Sequence, residues 1–271
     1  MRAAMIKDAT TRDATDFDAQ EFAGRVKAHA GKPAQPAQKR FYKAVGVTEA
    51  SGGFGIALDG RAVRTPAKAP LIVPSRGLAE AIAGEWEAQG AHIVPASMVL
   101  TKLANTAIDR VAGRERAVAA DIVAFAGCDL LCYRADSPDR LAARQAGAWD
   151  PVLTWAARRL GCHFVCVTGV VHHPQPQAAL EALARELEPH ELAPGGPFRL
   201  AALHTITTLT GSAILALALA ARAVSPDDAW AAAHVDEDWQ IEQWGADGEA
   251  ESRRAARRAE LDCAVRLLEL V

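Results

Sequence analysis

Four of the cysteines fall into two pairs of equal spacing, Cys128 with Cys132 and Cys162 with Cys166, and His163 stands beside the second pair. Four thiolates converging on one point would suit zinc or an iron–sulfur cluster. The spacing alone is only suggestive, because short-range zinc pairs usually sit on tight turns. Here Cys162 and Cys166 flank or enter a β-branched run, and Cys128-Asp129-Leu130-Leu131-Cys132 reads as packed chain. Free cysteine is among the most buried residue types, so core thiols are the preferred reading and no metal ligand is assigned. His172-His173 precedes Pro174, and His204 lies on an apolar helix with no acid or nucleophile motif nearby, so neither builds a catalytic unit. Thr210-Gly211-Ser212-Ala213 lacks the G-x-S-x-G elbow of a serine nucleophile. No phosphate loop is present, and Gly52-Gly53-Phe54-Gly55 lies inside a hairpin without the strand-to-helix transition that aims N–H groups at a phosphate. The expectation is no catalytic residue, no cofactor, no metal and no nucleotide site.

The most informative anomaly is an acid in an apolar stripe. On one continuous helix from Pro226 to Trp244, the residues Trp230, Ala233, Glu237, Ile241 and Trp244 share a face, with Trp239 opposite and Gln240 to the side. Burying the Glu237 charge unpaired would be expensive. Three arrangements relieve that cost: an internal cation, a raised pKa, or a groove where another protein supplies the cation. Trp86, on an amphipathic helix with Glu85 and Gln89 close by, carries two readings: core packing, or an anchor that meets a partner.

These side chains need elements to hold them. Residues 1–38 are polar, end in a Pro- and Gln-rich stretch, and read as a flexible arm with one weak helix around Phe17 to Val26. From Arg40 the chain turns strand-like: Phe54 to Leu58 and Ala62 to Thr65 flank Asp59-Gly60, a strong two-residue hairpin signal, and Leu71 to Val73 is a last short strand. Beyond Ser75 the apolar period becomes helical, in Leu78, Ile82 and Trp86, then Leu100, Leu103, Ala107 and Val111, then Val118, Ile122 and Phe125. Ser137-Pro138-Asp139 reads as an N-cap with proline at the first helical position, opening a helix that ends near Gly161. Phe164 to Val171 reads as a buried strand, after which helical patterns run from Ala178 to Leu270. The expected fold is α+β: a small N-terminal antiparallel β domain over residues 39–75, followed by a larger, mainly α-helical domain over residues 76–271.

Composition narrows the classes further. A net charge of −3 argues against a surface built to neutralise phosphates, so no nucleic-acid partner is expected. The basic run Arg253 to Arg258 follows Asp247, Glu249 and Glu251, a distribution that suits a solvated helix. Ala213 to Val224 is the longest nearly apolar stretch and falls short of the about 20 residues that span a bilayer, so no membrane insertion is expected. The N-terminal acids Asp8, Asp13, Asp16, Asp18 and Glu21 fit neither a transit peptide nor a secretory signal, which points to a cytoplasmic protein with reduced thiols.

Read in order, a set of short motifs resembles the ATP synthase alpha-subunit assembly chaperone family. They are Arg40-Phe41-Tyr42-Lys43; Leu58-Asp59-Gly60-Arg61 with Thr65-Pro66; Glu85-Trp86 with Gln89; and Leu100-Thr101 with Ala107-Ile108-Asp109. Further along come Asp129-Leu130-Leu131-Cys132-Tyr133-Arg134; Gln145 with Trp149-Asp150-Pro151; Thr210-Gly211-Ser212; and Val235-Asp236-Glu237 with Gln240 and Trp244-Gly245. The resemblance implies a molecular chaperone that binds the unassembled alpha subunit of the F-type ATP synthase and shields its beta-facing surface. It also implies that Glu237 is an acid needed for chaperoning, that Trp86 is a tryptophan needed for function, and that Asp236, Gln240 and Trp244 lie in the same partner-binding motif. The rival expectations are a metal or cofactor enzyme built on the paired cysteines, and a general peptide-binding module.

Overall fold

The structure is a computed structural model and describes residues 38–271; the expected arm and its weak helix fall outside the described residues apart from Gln38. The small sheet is built on two turns. Strands β1 (Val45–Ala50) and β2 (Gly53–Leu58) pair antiparallel, and β2 then pairs with β3 (Arg61–Ala62) and, at its other end, with β4 (Ile72–Val73). At the β2–β3 turn Asp59 and Gly60 both take positive φ, 47° and 76°, as the Asp-Gly pair predicts. Asp59 tolerates this because its carboxylate accepts the N–H groups of Lys43 at 3.0 Å and Ala44 at 2.8 Å. At the β1–β2 turn Gly53 is obligatory, since a Cβ there would lie 2.2 Å from the Val73 carbonyl oxygen.

Ten α-helices follow among the described residues. Ser75 caps α1 (Arg76–Glu87), its hydroxyl accepting from the Leu78 N–H at 3.1 Å. Helix α2 (Val99–Thr106) runs into a π-turn over Ala107–Val111, and α3 (Glu115–Ala126) comes next. Helix α4 (Asp139–Leu160) ends at Gly161 with φ 69°, the left-handed conformation that favours glycine after a helix. Then come α5 (Gln177–Leu192), α6 (Gly196–Thr210), the short α7 (Ala213–Ala220), α8 (Pro226–Ala233), α9 (Val235–Trp244) and α10 (Gly248–Leu270). The core runs without interruption from Ile56 and Val73 of the sheet, through Ile82 and Trp149, to Leu203 and Leu215. Each such side chain contributes about 1.5–3 kcal/mol of burial. Helix α7, apolar on every side, lies in the middle of this core, and no helix among the described residues is long and apolar enough to cross a membrane.

The architecture is the expected α+β, but three local expectations need correction. The Phe164 to Val171 run is not a buried strand: only Val167–Thr168 is extended (β6), paired in parallel with β5 (Tyr133–Arg134). Gly169 turns the chain at φ 87°, and Val170 and Val171 project at 94% and 80% exposure. β-Branched composition signals extended chain, but cannot say whether a partner strand is long enough to bury it. The Ser137-Pro138 cap is displaced by one residue, with Pro138 at the cap and Asp139 as the first helical position. Pro226 to Trp244 is two helices, because His234 breaks the run at φ −119°, ψ 19°.

Candidate functional site

The polar side chains of the recurring motifs find one another across the fold. Tyr42 donates from its hydroxyl to the Trp86 carbonyl at 2.7 Å, and the Arg40 guanidinium bonds the carbonyl of Gln89. Glu85 caps α2, accepting the N–H groups of Leu100 at 2.7 Å and Thr101 at 2.8 Å together with the Thr101 hydroxyl. Thr65 donates to Asp109 at 2.6 Å, and Arg134 pairs with Asp150 at 2.7 Å. Asp129, fully buried, accepts from the Leu131 and Ile214 N–H groups, each at 3.1 Å, and from the Ser212 side chain. Gln145 donates to Asp236 at 2.7 Å, and the Trp149 indole donates to the Ala232 carbonyl at 2.7 Å. Apart from the exposed Arg134–Asp150 pair, these residues are clamps: they satisfy polar groups that burial would otherwise leave costly.

Three motif side chains on α9, Glu237, Gln240 and Trp244, stand outside this set of bonds. Its other acids are engaged: Asp236 by Gln145, Asp238 by Arg254, and Glu242 by Arg144 at 2.7 Å. Among the described residues Glu237 meets only His234, whose Nε2 is 3.8 Å from its Oε2. That imidazole is buried, and burial, the leading cause, pushes its pKa down, so it is neutral at pH 7 and leaves the Glu237 charge uncompensated. Glu237 is therefore neither sunk in an apolar stripe nor locked to an internal Arg or Lys; its side chain is 40% exposed. Gln240 is exposed, and Trp244 at the end of the helix is 78% exposed.

The helix break accounts for this placement. The His234 Nδ1–H donates to the Trp230 carbonyl at 2.8 Å, its ring packs on the Trp230 indole at 3.8 Å between centroids, and α9 starts afresh at Val235. Trp230 stays buried while Trp244 swings out, so the five-residue stripe expected from one helical wheel does not exist. A groove of about 970 Å³ opens between α4, α8 and the last turn of α10, lined by Arg144, Val152, Val224, Val235, Asp238 and Leu268 among others.

Trp86 lies apart from α9. It is packed between the main core and a small cluster of Tyr42, Leu58, Ile93 and Met98, edge-on to the Tyr42 ring at 5.7 Å. Phe41, in the first motif, is 63% exposed, and no signal in the sequence separated it from its buried neighbour Tyr42. Of the cysteines, Cys132 is buried, Cys162 is half-buried, and Cys128 and Cys166 are exposed. Burial pushes the thiols of Cys128, Cys132 and Cys162 up, which disfavours the thiolate a metal needs. Among the described residues no three His, Cys, Asp or Glu side chains are placed to share a metal ion.

A helical body braced by buried polar clamps, with an uncompensated acid and a bare tryptophan on a surface helix, has the build of a protein that docks another protein. Residues 39–157 match the ATP12 chaperone protein family. Among solved structures, Atp12 from Paracoccus denitrificans is 42% identical over 86% of this chain and 98% of its own, with a TM-score of 0.79. An aspartate-to-lysine variant of the same Paracoccus protein matches with 41% identity over 86% and 97%, at TM-score 0.78. Atu1473 from Agrobacterium tumefaciens, a candidate chaperone, is 50% identical over 88% of this chain and 87% of its own, at TM-score 0.82. The chain belongs to the ATP12 chaperone family, and its role is that of an ATP synthase assembly chaperone.

Proposed function

We propose that this protein captures the unassembled alpha subunit of the F-type ATP synthase in the cytoplasm and covers the surface that the beta subunit later occupies. The contact is the outer face of α9: Glu237 supplies the charge, Trp244 the apolar anchor, and Gln240 and the rim of Asp236 the polar surround. Trp86 supports the contact from the core by holding the sheet against α1. The observation that carries this reading is that, of the acids on α9, only Glu237 lacks an arginine or other firm polar partner among the described residues, and it shares that helix with the exposed Trp244.

The physics suits a holdase. Obligate interfaces are large and apolar, so an orphan subunit aggregates unless that surface is covered. A cover that must later yield gains more from a specific charged anchor than from maximal apolar area. The test is Glu237→Lys with purified alpha subunit. A lysine in the first turn of α9 opposes the helix dipole by only about 0.3–1 kcal/mol, so circular dichroism should be unchanged while pull-down of the alpha subunit is lost. A folded variant that captures normally removes Glu237 from the contact.

A further inference from the structure

Cys132 ends the short 3₁₀ turn Leu130–Cys132 immediately before β5, and Cys166 stands immediately before β6. The two strands are parallel and registered Tyr133 to Val167 and Arg134 to Thr168, so Cys132 and Cys166 each stand one residue before the first registered pair. Neighbouring strands run about 4.8 Å apart, within the roughly 4.4–6.8 Å between Cα atoms that a disulfide spans. Paired positions on neighbouring strands point to the same face. The Cys166 side chain is one of the groups that act on the Cys132 thiol. One thiol of the pair is exposed and the other buried.

We infer that Cys132 and Cys166 are a dithiol site that closes to a disulfide when the protein meets a low-molecular-weight disulfide such as oxidised glutathione. The exposed Cys166 thiolate attacks one glutathione sulfur, the S–S bond breaks, and one glutathione thiolate leaves. The Cys132 thiolate then attacks the Cys166 sulfur of the mixed disulfide, and the second glutathione leaves. Two protein thiols are oxidised by two electrons, one glutathione disulfide is reduced, and the two thiol protons pass through solvent to the two released glutathiones. Asp129 and Arg134 are the charged groups that face Cys132. Burial and Asp129 hold its thiol up, against Arg134, so the second step is the slow one. The bond would close a loop containing all of α4, whose Arg144, Gln145 and Trp149 hold α8 and α9 in place.

The test equilibrates the full chain in glutathione buffers of graded ratio, quenches with acid, labels remaining thiols with a maleimide and weighs the intact protein. Two of the five thiols should vanish together, peptide mapping should link Cys132 to Cys166, and the oxidised protein should melt at a higher temperature than the reduced one. Cys166→Ser, at an exposed position, should fold normally by circular dichroism and form no internal disulfide, while Cys128→Ser should close like the parent. A link between any other two cysteines, or a mixed disulfide on Cys166 that never closes at the most oxidising ratio, overturns the inference.

Discussion

Asp129 is sealed from water, and burial outweighs its several hydrogen-bond donors to push its pKa up to about 6. An acid whose folded pKa lies above the unfolded value takes up a proton on folding. The stability it lends is therefore present in acid and is lost as pH rises from about 4 to about 6, by up to about 3 kcal/mol. Asp129→Asn keeps one acceptor but turns an amide N–H₂ toward a backbone N–H, which should cost about 1–3 kcal/mol. In denaturant titrations the stability gap between parent and variant should be widest near pH 4 and narrow toward pH 6; a gap independent of pH would contradict the raised pKa. Nothing local in the sequence announced this clamp, since the Ile214 N–H it accepts is 85 residues away. Glu237 was legible as an acid out of place, because a charge inside an apolar period shows in the sequence. Its actual surroundings were not, because they depend on a break that a helical wheel cannot show.

That break belongs to two helices, and His234 is its hinge. With Nδ1–H committed to the Trp230 carbonyl, Nε2 is buried and, among the described residues, without a hydrogen-bond partner, 3.8 Å from Glu237. The depressed pKa means His234 supports the fold in its neutral form above the ordinary histidine range, and that support is lost as pH falls. Arg254 and Arg257 oppose protonation and Glu237 favours it. Once protonated, Nε2–H would face the Glu237 carboxylate and neutralise the anchor. Capture of the alpha subunit should therefore weaken as pH falls below the ordinary histidine range, and His234→Gln, which cannot titrate, should flatten that dependence. Equal pH dependence in parent and variant would contradict the link. The sequence placed helical residues on both sides of position 234 correctly. It could not show the interruption, because a histidine inside an amphipathic pattern carries no breaker signal of the kind glycine or proline gives.

Residues 39–271 share a main core that runs from the sheet into the helices, and Trp86 packs between that core and a small second cluster. Trp86→Arg would remove its packing and bury a guanidinium between Tyr42 and the main core. Large-to-small changes at buried tryptophans alone cost about 3–5 kcal/mol, a large share of a typical total stability of about 5–15 kcal/mol. The variant should express mostly insoluble or melt far below the parent; a soluble variant of normal melting temperature would count against a core role. The sheet and the order of helices were readable because Asp59-Gly60, Ser75 and Gly161 are strong local signals and the apolar periods between them are long. The Phe164 to Val171 run misled because burial is decided by what packs on it. The eight motifs were readable as a resemblance, yet only the fold reveals that many of their polar residues, Asp236 of α9 included, bond to one another while Glu237 and Gln240 do not.

On the proposed function, this protein and the beta subunit compete for one surface of the alpha subunit. Size-exclusion chromatography with light scattering, run on purified alpha subunit with this protein before and after adding beta subunit, tests it most directly. The expected result is a discrete complex with the alpha subunit that beta subunit dissolves, releasing this protein as free chain. No complex with the alpha subunit, or a stable assembly that holds all three proteins together, would contradict it.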